Sequence, residues 1–124
     1  MKQYITEDQL IEISADQYHE LLMLLGVDIF VHIDEKSHYH ELVTIDRMIE
    51  IFTNRGYKLT SYPSCNEGFN YVTVYKDCGT QISYDKKELV DALWEAIKGL
   101  LEMIVYVNFN RTALEVEYET VHNR

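Results

Sequence analysis

Between Thr44 and Leu101 the chain alternates two helical patterns with three strand-like runs, and this stretch narrows its possible folds more than any other. Thr44 stands at an N-cap position, and Ile45, Met48, Ile49 and Phe52 follow at i, i+3, i+4 and i+7, which puts one apolar stripe on a helix. Asn54-Arg55-Gly56 ends it, because glycine takes the left-handed cap without a Cβ clash. Three runs with strand character come next: Tyr57 to Tyr62, Phe69 to Lys76 and Thr80 to Tyr84. Residues 63–68 and Asp77-Cys78-Gly79 supply turn chemistry between them, so the spacing predicts a three-stranded antiparallel meander. A second helix is expected from Asp85 as cap, with Glu88 closing a capping box. On it Leu89, Val90, Leu93, Trp94, Ile97, Leu100 and Leu101 form the buried side, and Glu88, Asp91, Glu95, Lys98 and Glu102 the wet side. Two amphipathic helices and a half-apolar sheet can bury each other, so the fold class is α+β, a two-layer or α/β/α sandwich around a small antiparallel sheet.

At 124 residues the chain has the length of one domain and can bury a core without metal or disulfide support. Within the domain 1–124, residues 1–43 read as a helical N-terminal extension with a polar loop, 44–103 as the α-β-β-β-α core, and 104–121 as a C-terminal hairpin. In the extension, Thr6 with Gln9 and Ser14 with Gln17 match capping boxes. The second of these helices places Tyr18, Leu21, Leu22 and Leu25 on one stripe and stops at Gly26. Residues 27–33, β-branched and partly alternating, read as a short strand or an ordered extended arm. The hairpin is expected because β-branched and aromatic residues crowd residues 104–109. Asn110-Arg111-Thr112 reads as its turn, and Leu114, Val116 and Tyr118 alternate with Glu115, Glu117 and Glu119. Its apolar edge would invite strand pairing, so a homodimer through this hairpin is expected.

Net charge is −10, and its placement is uneven. Residues 1–50 hold 11 acids against 3 cations, a balance of −8, while the rest of the chain stands at −2. An acidic half with no basic stripe repels phosphate backbones, so direct nucleic-acid binding is not expected, and the better partner is a protein with a basic surface. The apolar runs are far shorter than the ~20 residues that span a bilayer, so no membrane segment is expected. An N-terminus without an apolar h-region predicts a cytoplasmic protein whose Cys65 and Cys78, lacking CxxC spacing, are free thiols.

Reactive constellations are scarce. His32, His38 and His40 with Asp34, Glu35 and Glu41 supply metal-ligand chemistry in one polar loop, but H-x5-H-x-H is not a zinc signature, and no cofactor is assigned. Asp77-Cys78-Gly79 matches no nucleophile motif, and the five glycines assemble neither a dinucleotide fingerprint nor a P-loop. Gly99 interrupts a strong helix at roughly 1 kcal/mol against alanine, which points to close packing on a strand.

The runs Thr44 to Phe52, Arg55-Gly56-Tyr57, Val72 to Tyr75 and Lys87 to Ile97, the last with Ala92-Leu93-Trp94-Glu95-Ala96, resemble the phage ABA sandwich domain of small phage and prophage proteins. The resemblance covers residues 44–101 and brings no catalytic residues. It implies a phage-encoded accessory protein acting in the host cytoplasm by binding and disabling a host factor. The resulting expectation is a non-enzymatic inhibitor of a host protein such as a defence component. Its contacts would be Asp16, Glu20, Asp34, Glu35 and Glu41, or the Glu115, Glu117 and Glu119 strand. One alternative is an oligomeric sponge holding a nucleotide signal at Tyr106, Phe109 and Arg111. Another is a metal-dependent enzyme built on His32, His38 and His40.

Overall fold

A computed structural model describes residues 2–27, 39–63, 68–76 and 82–122, with residues 111–122 as backbone alone. The element order is α1 (Glu7–Leu10), α2 (Ala15–Leu24), α3 (Ile45–Asn54), β1 (Lys58–Pro63), β2 (Asn70–Tyr75), β3 (Ile82–Lys86) and α4 (Leu89–His122). The architecture is α+β: four helices and a three-stranded antiparallel sheet among the described residues, with helices packed on the sheet.

Helix starts follow the chemistry of their caps. The Thr6 and Ser14 hydroxyls accept from the Gln9 and Gln17 amides, and both glutamine side chains return the bond to the cap amide, two complete capping boxes. Thr44 Oγ1 accepts from Arg47 N at 3.2 Å and opens α3. Gly56, past the end of α3, has φ +81°, where a side chain would be strained.

The sheet is the expected meander, ordered β1-β2-β3, with Leu59 opposite Val74 and Val74 opposite Ile82. Period-two alternation sends Val72 and Val74 into the core, and Thr73 to the other face, where its hydroxyl bonds Ser83 at 3.1 Å. Tyr62 and Tyr71 stack on that second face with centroids 5.4 Å apart. The core joins all the helices to Val72 and Val74: Leu10, Leu21 and Leu22 from α1 and α2, Met48 and Phe52 from α3, and Leu93, Trp94, Ile97 and Leu101 from α4. The N-terminal segment therefore shares one core with residues 44–103.

Two expectations are corrected. Asp85 does not cap α4: it lies in β3 opposite Tyr71, and the Asp91 and Ala92 amides donate to the Glu88 carbonyl instead. The sheet holds the chain longer than the turn residues suggest, since Asn70 Nδ2 donates to the Lys87 carbonyl at 2.7 Å. The larger correction is the C-terminal hairpin of residues 104–121, which is absent, because α4 continues through it to His122. A lone two-stranded hairpin is marginal in water. Extending a helix that is already nucleated adds one hydrogen bond per residue without a new nucleus, and no Gly or Pro follows Gly99 to stop it. The strand register that would align Glu115, Glu117 and Glu119 on one face goes with the hairpin, as does the strand edge proposed for homodimer pairing.

Candidate functional site

The acidic N-terminal helices are fastened to α4 at three levels. At the start of α4, Lys2 Nζ donates to Asp91 Oδ1 at 2.7 Å and to Gln9 Oε1 at 3.1 Å, and Gln9 Nε2 donates to the same Asp91 oxygen at 2.8 Å. One α-helical turn or two further on, Lys98 Nζ reaches Glu12 Oε2 at 2.6 Å and Glu95 Oε1 at 2.8 Å. Burial alone would lower the Lys98 pKa, but hydrogen bonds to Glu12 and Glu95 and their charges outweigh it and hold the ammonium above its ordinary value. Finally Asn108 Nδ2 donates to Glu20 Oε1 at 3.1 Å. With Glu12 and Glu20 engaged, Glu7, Asp8, Asp16 and Glu41 stand exposed on this fastened half.

His40 sits in a short helical turn over residues 39–42, below that surface. Its Nδ1 is 4.0 Å from Glu7 Oε1 and its Nε2 4.0 Å from Glu41 Oε1, and its ring meets the Tyr4 ring edge-on at 5.9 Å. It borders an open cleft of about 650 Å³ lined by residues 2–8. Nδ1 is buried and has no hydrogen-bond partner among the described residues. Both carboxylates lie beyond hydrogen-bond range, so no acid-base pair is formed here. Among the described residues no three His, Cys, Asp or Glu side chains are placed to hold a metal.

The far half of α4 presents the other notable surface. The stripe that the sheet covers at Ala96, Gly99 and Leu100 continues as Met103, Tyr106 and Val107, which are 42%, 68% and 53% exposed; Phe109, on the next side round, is 72% exposed. Tyr84 fills the notch at Gly99, where a Cβ would lie 2.8 Å from the Tyr84 hydroxyl oxygen, so the expected close approach to a strand is present. Burial, with the charges of Glu102 and Glu95, raises the Tyr84 pKa. Beyond Tyr84 a small apolar groove of about 110 Å³ opens between sheet and helix, bordered by Tyr57, Ile82 and Met103. Lys76 Nζ lies 4.4 Å from the centroid of the Tyr57 ring, a cation-π contact on one of the residues that border the groove.

Of the residues singled out from sequence, Asp16, Glu20 and Glu41 share the fastened N-terminal half, and His40 lies beneath it. Tyr106 and Phe109 stand on α4, not on a strand, and Arg111, Glu115, Glu117 and Glu119 belong to its backbone continuation. His32, Asp34, Glu35, His38, Cys65 and Cys78 lie outside the described residues. Sequence reasoning missed the approach of His40 to Glu7, because nothing local signals a contact between residues so far apart. It also missed the open face of α4, although Leu100, Met103 and Val107 carry the helical period straight through the supposed hairpin. No family model, curated protein or solved structure matches the chain. No helix among the described residues is long and apolar enough to cross a membrane.

Proposed function

We propose that this chain is a non-enzymatic binding protein whose acidic N-terminal face docks on a protein with a basic surface. The observation that carries the reading is the fastening of the N-terminal segment to α4, by Lys2 and Gln9 on Asp91, by Lys98 on Glu12, and by Asn108 on Glu20 of α2, which presents the exposed Glu7, Asp8, Asp16 and Glu41 on a rigid frame. Carboxylates held in place lose less freedom on binding than carboxylates on a loose arm, and complementary charge speeds encounter with a basic partner. In its narrower form, the protein is a phage accessory factor that disables a host protein such as a defence component, acting in the host cytoplasm. The helix-sheet-helix order of residues 44–101 and the acidic balance support that form.

The test uses the immobilised full chain beside a Glu7→Lys/Asp16→Lys/Glu41→Lys variant with an unchanged circular dichroism spectrum. Host lysate is passed over both at low and high salt. The expected result is a discrete protein retained by the unaltered chain at low salt, and released both by salt and by the charge reversal. Equal retention by the variant would refute the proposal.

A further inference from the structure

The cleft beside His40 brings together an aromatic ring and carboxylates, the two kinds of group that recognise a guanidinium. Tyr4 lines it, 42% exposed, and its ring meets the His40 ring edge-on, not stacked. Glu7 and Asp8 line it as well, and Glu41 approaches the imidazole on the nitrogen opposite to Glu7. The lining cation, Lys2, is engaged elsewhere, since its Nζ donates to Asp91 and Gln9. Backbone pairing holds the walls: Tyr4 and Thr44 form a bridge, Ile5 N donates to the Val43 carbonyl at 3.3 Å, and Ile45 N donates to the Gln3 carbonyl at 3.1 Å. The cleft is therefore formed before a ligand arrives, which spares the ordering cost of binding.

We infer that the side chain entering this cleft is an arginine of the partner. This rests on the docking proposed above and narrows its target from a basic surface to one guanidinium. A guanidinium is planar, stacks on tyrosine and offers its N–H groups as a fork to carboxylate oxygens, whereas a lysine ammonium is a strongly hydrated point charge. Glu7, whose side chain is 67% exposed, has room to turn onto that fork. His40 adds a condition. Its Nδ1 is buried and without a hydrogen-bond partner among the described residues, 4.0 Å from Glu7 Oε1, and its Nε2 is 4.0 Å from Glu41 Oε1. A neutral imidazole leaves both carboxylates to the ligand. A doubly protonated one carries an N–H toward each, competes for the same oxygens and sets a positive charge beside the guanidinium. The charged and titratable groups around it are Lys2, Tyr4, Glu7 and Asp8 from the N-terminal segment and Glu41 from its own turn. Of these side-chain types and histidine, only histidine ordinarily changes charge between about pH 5 and 8. Arginine binding should therefore weaken on mild acidification.

The probe is a blocked Gly-Arg-Gly peptide titrated into the isotope-labelled full chain and followed by NMR, beside blocked Gly-Lys-Gly and Gly-citrulline-Gly. Saturable shifts gathered at Tyr4, Glu7 and His40 are expected for the arginine peptide, with about tenfold weaker binding of the lysine peptide and none of the citrulline peptide, which keeps the shape without the charge. Tyr4→Leu leaves every charge in place and should weaken the arginine peptide about threefold. Acidifying from about pH 7.5 to about pH 5.5 should weaken it about tenfold in the unaltered chain and leave it unchanged in His40→Asn, whose amide gains no proton in that range. The amide map of each variant reports whether its fold is intact. No shifts with any peptide, equal responses to arginine and lysine, shifts spread over Asp16 and other exposed carboxylates, or the same loss on acidification in His40→Asn would each overturn the inference. The docking reading is judged apart from it: a lysate protein retained by the unaltered chain and lost on charge reversal, with no arginine preference at the cleft, leaves the acidic face standing and removes this pocket.

Discussion

Leu100 and Val107 stand two helical turns apart on the same side of α4, and one is 5% exposed while the other is 53% exposed. Burying a side chain of this kind is worth about 1.5–3 kcal/mol, so the first residue repays its place in the helix directly and the second does not. The run Val105 to Asn110 is composed of residues that each favour helix less than alanine, in sum by roughly 3 kcal/mol. The comparison teaches that helix continuity and helix cover are separate matters. The body half of α4 is held by tertiary packing, and the far half inherits its conformation from the half before it.

The sharpest way to break this contrast is a pair of truncations on either side of Ile104. Trp94→Ala removes a fully buried indole and should lower unfolding free energy in urea by about 3–5 kcal/mol, whereas Tyr106→Ala, measured at high dilution, should change it by less than about 0.5 kcal/mol. Comparable losses at the two sites would show that the far half is covered after all. Next in size is Gly99→Ala. The new methyl meets the Tyr84 hydroxyl and should cost about 1 kcal/mol net of the helix propensity gained. In a Tyr84→Phe background, where the obstructing oxygen is gone, the same substitution should stabilise by about 1 kcal/mol, and a sign that fails to change would remove the notch from the account.

A smaller effect is expected at alkaline pH. The Tyr84 and Tyr18 hydroxyls are raised by burial, and by neighbouring charge, above their ordinary value of 10.0, and Lys98 is raised above 10.5 by its carboxylates. A group whose folded pKa is raised contributes stability below the unfolded value and loses it as pH climbs through the folded one. The urea midpoint should therefore hold to about pH 9.5 and fall beyond it, by no more than ~1 kcal/mol per surface-screened group. Tyr84→Phe should fall less steeply, and a parallel curve would exclude Tyr84 as a source. The smallest change should come from deleting residues 111–124, which ought to leave the urea stability of the isolated chain within about 0.5 kcal/mol. A larger loss would mean that this segment packs on the body.

Much of this was readable in the residues. Thr44 and the stripe after it, the two capping boxes and the meander all have local signals whose period and caps agree with one another, and the structure follows them. Gly99 was legible as a notch because glycine inside a strong helix has few other reasons. The C-terminal segment misled because β-branched and aromatic content is a local preference of tenths of a kcal/mol per residue, and the cooperative extension of α4 overrides it. Asp85 misled for a related reason: a good cap residue yields its place when the sheet holds the chain two residues further. For the site, the acidic half could be seen in the charge count, but its fastening could not. Lys2, Gln9 and Asp91 meet only once the chain has closed on itself, as do His40 and Glu7.

That closure has a consequence for how the protein is made. Lys2 and its carboxylate on α4 are 89 positions apart, and a ribosome adding ~5–20 residues per second leaves the amino terminus waiting roughly 4–18 s for its mate. The first helices are thus synthesised before anything exists to receive them, and a nascent chain stalled before position 91 would carry its acidic front unanchored.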